Sequence, residues 1–165
     1  MAVIAAFDRL YRLKEEVRDL IAQAGIPQTD ILCEFPPKGR TYPLKRPCIC
    51  VGLSSIQMGA GALGGFVGAQ KEGAELFGKR LEVEFRFDIY LPKGWEEDCH
   101  SYFCTLCDIL TGQLPDMEKM WCGEMSSTAQ NDGFTLPCYA RLSALACQGE
   151  EEAALTQIIL RRKEL

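Results

Sequence analysis

Histidine is nearly missing from this chain: His100 is the only one in 165 residues. Any Ser-His-Asp or Cys-His catalytic arrangement has to use it, and no neighbouring residue is placed to orient it as a base. Basic charge is also short, with 18 Lys and Arg against 23 Asp and Glu, a formal net charge of −5. Binding dominated by phosphate contacts is therefore disfavoured, and no sequence-specific nucleic-acid partner is expected. No run of roughly eighteen consecutive apolar residues exists, so no membrane span is expected. The N-terminus lacks a basic segment followed by a continuous apolar core, so a secretory leader is not expected either.

Cysteine is plentiful. There are nine, an odd number with no secretion signal beside it. Cys33, Cys48, Cys50, Cys138 and Cys147 fall in strand-like runs, and Cys99, Cys104 and Cys107 fall in a helix-like one. Cysteines so placed act as small buried hydrophobes, which indicates free thiols in a reducing compartment. With 47% hydrophobic and 25% charged residues, the chain suits one domain over 1–165 with a sizeable core.

The clearest pattern lies between Leu81 and Leu110. Leu81, Val83, Phe85, Phe87, Ile89 and Leu91 alternate with Glu82, Glu84, Arg86, Asp88 and Tyr90, the pattern of a half-buried strand. Pro92-Lys93-Gly94 breaks it. Glu96, Glu97 and Asp98 then supply an acidic first turn, and Trp95, Cys99, Tyr102, Phe103, Leu106, Cys107 and Leu110 trace an apolar helix face that ends at Thr111-Gly112.

Around this unit the other elements fall into order. Ile4, Phe7, Leu10, Tyr11, Lys14, Val17, Leu20, Ile21 and Ala24 form an N-terminal helical stripe stopped by Gly25 and Pro27. Ile31, Cys33 and Phe35 alternate as a short strand, and Pro47 to Met58 is a second. Seven of the fifteen glycines lie between Gly59 and Gly78, a density that predicts a mobile loop over 59–78. Glu118 to Thr128 reads as a strand, Asn131-Asp132-Gly133 as a turn, and Phe134 to Ala144 as a further strand. Pro137 places that last strand at an edge or a bulge. The C-terminal tail, 149–165, is compatible with helix or strand. The expectation is an α+β domain: a mainly antiparallel sheet of about five strands, with the N-terminal helix and a second helix packed on one face.

Three motifs invite chemistry. Gly59, Gly61 and Gly64 match G-x-G-x-x-G, but the glycines that follow disfavour the helix a pyrophosphate site needs. Cys99, His100, Cys104 and Cys107 lack paired zinc-ligand spacing, so burial is the better account. Glu82 and Glu84 stand about 7 Å apart on one strand face, within the range of catalytic carboxylate pairs. A charged row of this kind is more often a contact surface.

Several strings resemble the tail-terminator (tail-completion) proteins of phage and prophage tail modules. They are Glu75-Leu76-Phe77-Gly78-Lys79-Arg80 leading into EFRFDIYLPKG, the helix SYFCTLCDIL, WCGEM, the Asn-Asp-Gly turn, FTLPCYARL and the tail QIILRRKEL. The resemblance spans most of the chain. It implies a small α+β protein without enzymatic activity or cofactor, built as a self-associated hexameric ring. Such a ring caps the head-proximal end of a tail tube, in the virion tail or a phage-like particle assembled in the bacterial host cytoplasm. The implied partners are other copies of the chain, the tail tube protein, and a sheath or head–tail connector protein. The resemblance assigns no contacts to individual residues. By pattern, the candidate interface is Glu82, Glu84, Arg86 and Asp88, with Gly59, Gly61, Gly64, Gly65, Gly68, Lys79 and Arg80. Arg86→Glu is expected to disturb assembly and leave the fold intact. The alternatives are another head–tail joining component and, from a different class, a small nucleotide- or metal-dependent enzyme.

Overall fold

A computed structural model describes residues 2–33, 45–59, 66–69, 73, 75–128, 133–148, 155–160, 162 and 163. Among them are helices α1 (Ala2–Ala24) and α2 (Cys99–Gln113). The strands are β1 (Asp30–Cys33), β2 (Cys48–Met58), β3 (Phe66–Ala69), β4 (Glu75–Pro92), β5 (Met117–Cys122), β6 (Ser126–Thr128), β7 (Gly133–Gln148) and β8 (Leu155–Ile159). The fold is α+β. No helix among the described residues is long and apolar enough to cross a membrane.

The sheet runs β1-β2-β4-β7-β5, with β3 on β4 and both β6 and β8 on β7. Its centre is the antiparallel pair β4–β7, in register from Gly78↔Cys147 to Pro92↔Gly133. Only the short β1–β2 pair is parallel among the described strands. Both helices lie on the face that receives the odd-numbered residues of β4. Leu81, Val83, Phe85, Phe87, Ile89 and Leu91 are buried there against Leu13, Val17, Leu20 and Ile21 of α1 and Tyr102, Leu106 and Leu110 of α2. Burying each such large side chain contributes roughly 1.5–3 kcal/mol, so this layer holds the helices to the sheet.

Four local expectations change, and one open alternative is decided. The buried side of α1 includes Leu13, outside the predicted stripe, while Ala24 is exposed; side chains 2–10 lie outside the described ones. Asp98 is the N-cap of α2, accepting from the Ser101 N–H at 2.8 Å, so Glu96 and Glu97 precede the helix. The helix also runs through Gly112 to Gln113, because a lone glycine costs only about 1 kcal/mol and Leu110 is packed in the core. The predicted strand 118–128 is two strands, interrupted at Gly123–Met125. Finally, the tail forms β8 on β7, tied down by Lys163 N–H to the Gln113 carbonyl (2.8 Å) and Arg162 to the Glu16 carbonyl (3.3 Å).

Pro137 is not at an edge, since β7 has neighbours on both sides. Its carbonyl accepts from Gly123 N–H at 2.8 Å, on the side where β5 and β6 are interrupted. The N and C=O of one strand residue point to the same side. The missing donor of Pro137 therefore faces that interruption, and the β4 ladder loses nothing.

The loop expected over 59–78 is corrected in part. Phe66 pairs with Phe77 and Ala69 with Glu75, so β3 and the start of β4 form a hairpin inside that span. A glycine-poor sequence is not required when a long partner strand supplies the pairing. Gly73, at φ +84°, sits where only glycine is unstrained. Residues 60–65, 70–72 and 74 lie outside the described ones.

Candidate functional site

The face of the sheet turned away from the helices carries the even-numbered row of β4. Glu82 is exposed; Glu84 and Arg86 are partly buried; Asp88 is 2% exposed. Register brings other strands' residues beside them. Glu84 stands opposite Arg141, Arg86 opposite Tyr139, and Asp88 lies between Cys50 of β2 and Pro137 of β7. On the far side of β7, Trp121 faces Tyr139 and Lys119 faces Arg141.

These side chains form one connected layer. Arg86 Nε donates to Asp88 Oδ1 at 3.0 Å, and Arg141 donates to Glu84 Oε2 at 3.1 Å. The rings of Trp121 and Tyr139 stack with centroids 5.3 Å apart and an interplanar angle of 18°. Three cations lie over those rings: Arg86 at 5.9 Å from Tyr139, Arg141 at 5.9 Å and Lys119 at 5.0 Å from Trp121. Cation–π contacts at such exposed sites contribute about 0.5–1 kcal/mol each. Their larger effect is to fix long side chains that would otherwise lose rotamer freedom on binding.

Asp88 is the unusual member. Burial pushes its carboxyl above the ordinary range, and the Arg86 guanidinium pulls in the opposite direction. Burial likewise raises the neighbouring Tyr90 hydroxyl to about 12. Arg86 is thus more than a surface charge: it partners a carboxylate that has left water. That revises the expectation that Arg86→Glu leaves the fold untouched, because the change would set a second acid beside a buried one.

The glycine candidates are not brought to this layer by any described contact. Gly59 donates to the Arg80 carbonyl at 2.9 Å and closes the β2–β4 ladder. Gly68 lies in β3 opposite Leu76. Gly61, Gly64 and Gly65 are outside the described residues. A strand, β3, follows Gly65 where the dinucleotide fingerprint needs a helix, which removes that reading. Lys79 and Arg80 are exposed in β4, opposite Ala146 and Leu145.

The cysteine helix separates its thiols. Cys99 is buried and its thiol is pushed up to about 11 by burial; Cys107 is half-buried; Cys104 is exposed. Among the described residues no group of three or more His, Cys, Asp or Glu is placed to share a metal ion.

Sequence reasoning missed Lys119, Trp121, Tyr139 and Arg141. On β7 their alternation with Cys138, Ala140 and Leu142 carries the signal, since those three are buried while Tyr139 and Arg141 are only half-buried. No family model matches the chain, and no curated protein matches it.

Proposed function

We propose that this chain is a structural assembly protein of the tail-terminator type, which forms a closed, hexameric ring on the head-proximal end of a phage or phage-like tail tube and ends tube growth. The observation that carries the reading is the layer Arg86–Tyr139–Trp121, with Arg141, Glu84 and Lys119 around it. It is a rigid sheet face on which charges of both signs are held by neighbours instead of projecting freely. Such a surface sets register and rejects wrong partners more effectively than it adds raw affinity, which is what a cap on a repeating tube needs. The strings that resemble tail terminators support the same reading, and the α+β fold is compatible with it.

On this reading the partners are further copies of the chain and the tube protein, with a sheath or connector protein above the ring. The test is particle mass in solution and on tubes. Light scattering of the isolated protein, alone and after addition of short tubes, should give one discrete oligomer or a discrete mass per tube end. A protein that stays monomeric and leaves tubes unbound would remove the proposal.

A further inference from the structure

Two patches of opposite character sit at opposite ends of β4, on the helix-bearing face. At the C-terminal end a pocket of about 190 Å³ is lined by Leu91, Trp95, Met125 and Phe134. Met125 and Phe134 remain 46% and 39% exposed. Phe134 pairs with Leu91, so by alternation it belongs to the helix face, but α2 begins only at Cys99 and leaves it uncovered. Glu96, Glu97 and Asp98, all exposed, rim this pocket.

At the other end Met58 is 58% exposed and pairs with Leu81, which puts it on the same face. Lys79 shares that face by alternation, while Arg80 projects from the opposite face at the same end of the strand; both are exposed. One end is therefore apolar and basic, the other apolar and acidic. Twelve residues of strand, roughly 40 Å, separate Lys79 from Leu91, so the two patches cannot meet within one copy.

We infer that these patches are the two halves of one head-to-tail contact, in which the Met58–Lys79 patch of one copy, with Arg80 at its margin, docks into the acid-rimmed pocket of a second copy. The pocket has room for one long side chain, either a thioether or the aliphatic stem of a lysine whose ammonium reaches the acids at the rim. A contact between two different patches is heterologous, and repeated around an axis it closes a ring. The inference rests on the assembly reading and deepens it by naming the interface.

The test uses two double charge reversals, Lys79→Glu with Arg80→Glu, and Glu96→Lys with Glu97→Lys. Asp98 is left in place because it caps α2. All four side chains are exposed, so the thermal unfolding of each variant should match the wild type. Sedimentation velocity should show self-association weakened about tenfold or more in each variant, since like charges are then juxtaposed. Mixed in equal amounts, the two variants offer each other one native and one charge-swapped contact, so they should co-assemble into the wild-type species from alternating copies. All four reversals in one chain should restore the wild-type species. If Lys79 and Arg80 prove necessary for folding, Met58→Glu tests the same end.

Wild-type protein that is monomeric at every concentration reached would overturn the inference, as would reversals that leave assembly unchanged. A ring that responds to the reversals but leaves tube growth unaffected would keep this contact and remove the capping role. A capping ring indifferent to both reversals would do the opposite.

Discussion

Arg86 and Asp88 stand two residues apart on β4, joined Nε to Oδ1 at 3.0 Å, with the arginine side chain 42% exposed and the carboxylate 2%. The pair spans the boundary between a solvated row of charges and the interior of the sheet. Removing the arginine leaves the acid buried, so Arg86→Ala should cost about 2–3 kcal/mol of stability and Arg86→Glu more. Glu82→Lys, on the exposed end of the same row, should stay within about 0.5 kcal/mol of wild type. Denaturant unfolding of the three variants checks this ordering. Arg86→Glu as stable as Glu82→Lys would mean that the buried acid needs no partner.

The even-numbered row was legible because strand periodicity places Glu82, Glu84, Arg86 and Asp88 on one side regardless of tertiary context. What periodicity does not supply is the neighbour. Arg141 lies 57 residues from Glu84 and reaches it only through the β4–β7 register. One short strand was hidden and another left undecided for the same reason. Phe66–Ala69 contains glycine, and Leu155–Ile159 had a sequence equally suited to helix; pairing with β4 and β7 decided both. The parallel β1–β2 pair has no local signature at all, since orientation depends on the route of the connection.

Asp88 also predicts a pH dependence. Its folded carboxyl titrates above the ordinary value near 3.8, so the unfolded chain releases this proton first as pH rises. Its contribution to stability therefore falls as pH climbs from that ordinary value to the raised one, and is constant above it. Asp88→Asn removes the dependence. Unfolding free energies measured from about pH 4 to about pH 7 should show the wild type losing ground to Asp88→Asn at the acidic end of the range only. A difference that is constant with pH would contradict the burial of a titrating group here.

The stacked rings should be energetically coupled. A double-mutant cycle on Trp121→Ala and Tyr139→Ala is expected to give a coupling of about 0.5–1.5 kcal/mol, the range for aromatic pairs beyond their burial. Additive losses would mean that the 5.3 Å stacking is incidental to the layer.

Gly133 and Gly73 should differ in how they tolerate alanine. A Cβ on Gly133 would lie 2.3 Å from the Leu91 carbonyl oxygen, so the β4–β7 ladder has to shift. That change should cost about 2–3 kcal/mol. A Cβ on Gly73 meets open space, and only its positive φ of +84° opposes the substitution. Gly73→Ala should cost about 1 kcal/mol. Thermal unfolding of the two variants reads the order, and a reversed order would mean that close approach at the end of β4 is not what demands glycine.

Tube growth in the presence of this protein tests the central claim most directly. Tube protein is polymerised alone and with increasing amounts of the chain, and tube lengths and ends are measured by electron microscopy. The account predicts shorter tubes as the ratio rises, each carrying a closed ring at one end only. Tubes of unchanged length with bare ends, at ratios well above one ring per tube, would contradict it.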